Sequence, residues 1–228
     1  GAPVVAFRTG HGVMPSDDPL SIGMPVAHSL WTDVDLVIGI GTRLQSQVMS
    51  WGHDDDMKII HIDIDETQIG RSAPVDVGIH ARLADALPPL ISAVEDLAEP
   101  NPDWADRTAD AKARRAAEYR EKLGPQLEWL GAIRDALPRD GTFVDELTQI
   151  GYVSRFAFPS YHPRSFISTG YQGTLGYGFA TALGVAHARR DVPVLSISGD
   201  GGALFTISEL ATAVHHNIPL TTVIFNDH

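Results

Sequence analysis

The chain has 228 residues and a mass of 24.6 kDa, enough for one large domain or two ordinary ones, and its 43% hydrophobic content is that of a globular protein. With 17 Lys and Arg against 29 Asp and Glu, the formal charge is −12 and the pI near 5.1, a balance that repels phosphate backbones and anionic lipid and speaks against nucleic-acid and membrane partners. There is no cysteine, which excludes disulfides, zinc–thiolate centres and cysteine nucleophiles, and no apolar run approaches the roughly 20 residues of a membrane span, so a cytoplasmic location is expected.

Short β-rich runs alternate with helical ones. Strands are predicted over 3–7, 35–40 and 58–64; the second is almost wholly apolar, as for a parallel strand buried on both faces. Asp65-Glu66-Thr67 then starts a short helix, and a longer one covers 83–97, with Pro88-Pro89 implying a late start or a kink. Glu99-Pro100-Asn101-Pro102-Asp103 has linker chemistry and leads into an exposed connecting helix over 104–122, ended by Gly124-Pro125. The βα rhythm then resumes: a helix over 126–137, strands over 142–144 and 165–168, and a glycine-rich stretch from Gly170 to Gly178 before a helix over 179–189. A strand over 193–198, a helix over 206–215 and a strand over 220–225 follow. Ile207, Leu210, Ala211 and Val214 fall on one face of that last helix, which predicts a core-facing stripe.

The fold class expected is α/β, with two doubly wound, Rossmann-like parallel-sheet domains: 1–98 as a central domain, 99–125 as linker and connecting helix, and 126–228 as a second domain. Residue 1 opens straight into a strand and His228 stands just past another, so both domains are expected to be incomplete.

The last βαβ unit concentrates the chemistry. Its first strand runs into Gly199-Asp200-Gly201-Gly202 and its second into Asn226-Asp227. A right-handed crossover makes the two strands parallel, so both loops lie at the carboxyl edge, where open α/β sheets bind ligands. Asp200 and Asp227 are thereby candidate oxygen ligands for magnesium, and the flanking glycines let backbone N–H groups approach a phosphate.

Gly199-Asp200-Gly201, the second acidic position 27 residues after Asp200, the Ser208-Glu209-Leu210-Ala211-Thr212-Ala213 helix and the loop Gly170-Tyr171-Gln172-Gly173-Thr174-Leu175-Gly176-Tyr177-Gly178 together resemble the thiamine-diphosphate enzymes, the acetolactate synthase group above all. Residues 35–44 and 59–69 are similar to that family's central domain. The resemblance implies thiamine diphosphate and Mg2+ as cofactors. Asp200 and Asp227 would bind the metal, with Asp227 where Asn is more usual, and Gly199, Gly201 and Gly202 would meet the diphosphate. Gln149 falls on the Gln of a Gly-Gln-His motif whose neighbours here are Thr148 and Ile150. Leu175 matches the apolar wedge under a bent cofactor, and the carbonyl of Gly173 matches the acceptor for its amino group.

The implied activity is that of an acetolactate synthase-like carboligase acting on 2-oxo acids. A simple decarboxylase of the benzoylformate decarboxylase type and a non-catalytic nucleotide-binding or regulatory module of the same fold remain the alternatives. The family's catalytic glutamate belongs to a pyrimidine domain that no segment here resembles, and its sites are shared between subunits, so a homodimer or homotetramer is expected.

In the central domain, Gly39-Ile40-Gly41-Thr42-Arg43 resembles a dinucleotide loop, and Arg43 falls on an FAD-contact position of acetolactate synthases. Pro25 stands where flavin-binding members have His, which leaves FAD, another nucleotide or no ligand as alternatives. The ten histidines show no metal-ligand spacing, His215-His216 end a helix, and Arg114-Arg115 read as a solvated face.

Overall fold

The computed structural model describes residues 1–97 and 101–226. They form two compact units: residues 1–26 together with the chain from Asp103 onward, and Ala27–Pro102. Residues 1–26, which the sequence groups with the first domain, pack with the later part of the chain. No helix among the described residues is long and apolar enough to cross a membrane.

The chain opens with β1 (Val4–Val5), paired in parallel with β2 (Ser21–Ile22). β2 is too short to carry any periodicity, and the sequence did not predict it. A helix, α1 (Met24–Leu30), follows. Three parallel strands then form one sheet: β3 (Leu36–Ile40), β4 (Lys58–Asp63) and β5 (Val77–His80), in the order β3-β4-β5. β4 is the buried centre, with Ile59 and Ile62 in the core. β3 corrects the expectation of a strand buried on both faces: Leu36, Ile38 and Ile40 are all exposed. It is an edge strand, and within this unit only its Val37 side packs, against Leu44, Val48 and Ile59. Asp65 caps a single 3-10 turn over Glu66–Gln68 by accepting from the N–H of Thr67, as its position suggested. β5 was hidden by Gly78, which is required there because a Cβ would stand 2.7 Å from Ile69 Cγ2. α2 (Leu83–Leu97) begins on time and runs through both prolines.

The connecting helix breaks at Leu123, next to Gly124-Pro125 as the sequence suggests, but it is less solvated than expected. α3 (Asp103–Ala136) passes through Pro125 with one non-helical residue, Leu123 (φ −130°, ψ 23°). That break places Pro125 in the first turn of the second segment, where its missing N–H does no harm. Thr108 and Ala111 are buried. Lys112 Nζ donates to the carbonyls of Asp18 and Ser21, each at 3.1 Å, and Arg115 Nη2 donates to that of Pro25 at 3.1 Å. Arg115 is therefore a tether and not part of a solvated face.

The remaining elements are β6 (Thr142–Val144), α4 (Gln149–Ala157), β7 (Phe166–Ile167), α5 (Tyr177–Ala188), β8 (Val194–Gly199), α6 (Asp200–Thr206), α7 (Leu210–His215) and β9 (Thr221–Phe225). The four strands are parallel in the order β7-β6-β8-β9. Alternation along each strand sends side chains to two cores. Phe143, Phe166, Leu195 and Ile197 meet Leu130, Ile133, Ile150 and Val153 from α3 and α4 on one face. Val144 and Val194 meet Ala182 and Ala186 of α5 on the other. A parallel sheet covered by helices on both sides is the doubly wound arrangement. Instead of one helix over 206–215 there is a 3-10 turn over Ile207–Glu209 and then α7, with α6 ending where the predicted helix begins. The predicted core stripe is overturned as well: Leu210 is 48% and Val214 76% exposed. Periodicity shows that a face is apolar, not that something covers it.

Candidate functional site

In the order β7-β6-β8-β9, the chain goes from β6 to one side and then returns to the other, so the topological switch lies between β6 and β8. Outside the carboxyl ends of these two strands the departing loops diverge and leave a crevice, the usual ligand position in such a sheet. Three segments meet there: residues 145–148 after β6, the glycine-rich loop after β7, and the β8–α6 junction.

At the β8–α6 junction, the glycine–aspartate motif is not the loop that the sequence suggests. Gly199 ends β8 and caps α6, and Asp200 is the first helical residue. The N–H groups of this first turn lack intrahelical partners and are disposed towards an anion. Asp200 and Gly201 are exposed, and a Cβ on Gly201 would meet nothing within 4 Å. The chain's own packing therefore does not require glycine at 201, and the backbone there is open to a ligand. Gly202 differs: it is buried, and a Cβ would come within 2.7 Å of the Glu146 carboxylate.

The glycine-rich loop turns by left-handed residues, Gly170 (φ 66°), Gly173 (φ 53°) and Gly176 (φ 81°). Gly173 lies over Leu147, and Gly176 caps α5. The N–H of Gly176 donates to Glu146 Oε1, and its carbonyl accepts from Thr206 Oγ1 at 3.2 Å. The residue after Leu175 is thus held from both sides. Leu175 itself is 51% exposed, so its side chain is not consumed by packing at the start of the helix.

After β6 the chain buries two consecutive acids that the sequence reading passed over. Asp145 and Glu146 are both fully enclosed. Asp145 Oδ2 accepts from Arg155 Nε at 3.1 Å, and Arg155 Nη2 donates to Thr169 Oγ1 at 2.9 Å. Burial raises the Asp145 carboxyl above its ordinary value, against the opposing pull of the Arg155 guanidinium. Gln149, the first residue of α4, is exposed at the same edge. The strand-ending acids were a signal in plain view, since Thr142–Val144 was predicted as a strand and the residues after it open onto the carboxyl edge.

The structure therefore brings Gln149, Gly173, Leu175, Gly199, Asp200, Gly201 and Gly202 to one end of one sheet, on helix starts, a strand end and the glycine-rich loop. Asp227, the second expected metal ligand, lies outside the described residues, as does His228. Among the described residues there is no group of three or more His, Asp or Glu side chains that could hold a metal ion. The open backbone at Gly201, the exposed Leu175 and the pinned loop between them fit a cofactor carrying an anionic end and an apolar body.

The other unit offers less. At the carboxyl end of β3, the carbonyl of Thr42 lies 2.7 Å from His61 Nε2, and Gly41 is left-handed (φ 57°). Gly39 is explained by packing, because a Cβ there would stand 2.6 Å from Leu44 Cδ1. The cleft beside Arg43, Leu44 and His61 holds about 10 Å³.

Two descriptions of one family match the chain: the thiamine pyrophosphate enzyme central domain over residues 1–90, and the C-terminal thiamine pyrophosphate-binding domain of the same enzymes over 148–228. The large subunit of acetolactate synthase isozyme 1 from Escherichia coli is 28% identical over 95% of this chain and 40% of its own length. A probable acetolactate synthase large subunit from Methanocaldococcus jannaschii is 31% identical over 99% of this chain and 41% of its own length. A probable 2-ketoarginine decarboxylase from Pseudomonas aeruginosa is 30% identical over 99% and 42%. The chain thus spans about two fifths of the length of these relatives.

Proposed function

This chain belongs to the thiamine pyrophosphate enzyme family, and from that premise we propose that it carries the diphosphate- and metal-binding part of an acetolactate synthase-like carboligase acting on 2-oxo acids. When bound, thiamine diphosphate supplies an electron sink that lets a 2-oxo acid lose CO2 and lets the remaining carbon unit pass to a second carbonyl compound. The observation that supports this is the placement of Asp200 and Gly201, at the start of α6, and of Leu175, on the glycine-rich loop, at the carboxyl end of one sheet.

In this reading the first-turn N–H groups of α6, at Gly201 and Gly202, bind the diphosphate. Asp200 holds Mg2+ together with Asp227, and the metal offsets the repulsion between carboxylates and phosphates. Gln149 approaches the same anionic end. Leu175 supports the apolar body of the cofactor, and the carbonyl of Gly173 accepts from its amino group. The residue that exchanges a proton with the pyrimidine ring belongs to a domain outside this chain, contributed by another subunit of a homodimer or homotetramer.

A second reading, a 2-oxo acid decarboxylase, is favoured by the similarity to a probable 2-ketoarginine decarboxylase at 30% identity, alongside synthases at 28% and 31%. The test is a titration of the full-length protein with thiamine diphosphate, with and without Mg2+, followed by product analysis with pyruvate. Magnesium-dependent binding and acetolactate formation are expected. CO2 and aldehyde alone would select the decarboxylase, and absence of magnesium-dependent binding would overturn both.

A further inference from the structure

Glu146 is a fully buried carboxylate to which neither the packing nor the proposed function assigns a task. It joins all three segments of the crevice. It follows β6; its Oε1 accepts from the N–H of Gly176 in the glycine-rich loop; and it lies against the backbone of the diphosphate segment, where a Cβ on Gly202 would stand 2.7 Å from Oε1 and 3.0 Å from Oε2. A Cβ on Gly178 would likewise come within 3.0 Å of Glu146 Cβ. The glycine at 202 thus makes room for this one side chain, since all three atoms nearest to a Cβ there are those of the Glu146 carboxyl group. Its Oε2 has no hydrogen-bond partner among the described residues. Burying an acid with half its acceptor capacity unused is unfavourable, and a residue kept only for packing would be apolar or fully bonded.

We infer that Glu146 is a positioning residue: its carboxylate is the spacer that sets the Gly173–Gly176 loop, and with it the Leu175 wedge, at a fixed height above the Gly199–Gly202 segment. This rests on the thiamine diphosphate reading of the site. The reach of the side chain is what matters. Gly176 is left-handed and immediately follows Leu175, so the bond from its N–H to Glu146 and the bond from Thr206 Oγ1 to its carbonyl fix the backbone that aims Leu175. Glutamine keeps both the reach and an oxygen acceptor. Aspartate keeps the charge but is one methylene shorter.

The test compares full-length wild type, Glu146→Gln and Glu146→Asp in two measurements. One is amide hydrogen exchange at Gly176 in the cofactor-free protein; the other is affinity for thiamine diphosphate and for inorganic pyrophosphate, each with Mg2+. In Glu146→Asp, protection of Gly176 and affinity for thiamine diphosphate each fall by about tenfold or more, as for one lost hydrogen bond to a charged acceptor, while pyrophosphate affinity stays within about twofold. Glu146→Gln stays within about threefold of wild type in every measurement. Wild-type cofactor affinity in Glu146→Asp, or a parallel fall for pyrophosphate, overturns the inference. If the aspartate variant does not fold, the glutamine variant decides by itself: a loss of about tenfold in cofactor affinity with Gly176 still protected overturns it. Wild-type protein that fails to bind thiamine diphosphate overturns the proposed function instead, and the exchange at Gly176 still tests the spacer.

Discussion

Arg155 Nε meets Asp145 Oδ2 at 3.1 Å, with the carboxylate fully enclosed and the guanidinium only partly so. The pair ties the first helix after β6 back to the strand end that carries the candidate site.

Removing the cation strands a buried charge. Arg155→Leu is expected to destabilise the protein by about 3–5 kcal/mol. The loss should depend on pH. Burial raises the Asp145 carboxyl from its ordinary 3.8, so the folded protein holds this proton to higher pH than the unfolded chain does. Its contribution to stability is then greatest below the unfolded value and declines as pH rises through the folded one. Without Arg155 that decline should deepen. Urea unfolding from pH 4 to 8 checks this, and identical pH slopes in variant and wild type would refute it.

His11 should produce the opposite slope. Its ring lies 4.6 Å from that of Phe166, and burial lowers its pKa from 6.5 to about 4 despite a hydrogen bond with the Arg155 backbone. The folded protein refuses a proton that the unfolded chain accepts, so stability should be full above pH 6.5 and fall towards pH 4, by at most about 3 kcal/mol. Replacing His11 with Gln should flatten the unfolding midpoint across that window, and an unchanged acid slope would discount the assignment.

Gly178 is predicted to be intolerant of any side chain. A Cβ there would stand 2.7 Å from the Ile197 carbonyl and 2.9 Å from Ser198 Oγ, so α5 would have to move off β8. Gly178→Ala should cost about 1–3 kcal/mol, seen as a lower melting temperature. Gly184→Ala, on the same helix with nothing within 4 Å of its Cβ, is the control and should not lower it.

Leu175→Ala should separate stability from turnover. The side chain is half exposed, so unfolding should change by about 1 kcal/mol or less. In the proposed site Leu175 is the wedge that orients the reacting groups, so turnover of the full-length protein with pyruvate should fall by about tenfold or more. A wild-type rate would remove Leu175 from the site.

Much of this architecture is legible in short stretches of sequence. The run 58–64 reads as a strand because Ile60, Ile62 and Ile64 alternate with His61 and Asp63, and Asp65 reads as a helix start because its side chain can reach the N–H of Thr67. The residues that escaped did so for identifiable reasons. β2 has two residues and carries no period; β5 has four, with a glycine inside. The apolar stripe containing Leu210 and Val214 was read correctly as a stripe and wrongly as core, because burial depends on what lies opposite. Asp145 and Glu146 were passed over because acids after a short strand look like a solvated turn until the loops above them are in place.

The chain by itself determined the order of parallel βα units and the glycine–aspartate motif that marks its family, since both rest on interactions within a few residues. Only the tertiary structure decided that β6 and β8 are neighbours, so that loops far apart in sequence open one crevice between them. It also decided that the carboxylate of Glu146 spans from the Gly176 N–H to the backbone of Gly202. Those contacts are made across the sheet, between residues 30 or more positions apart, and no local pattern encodes them.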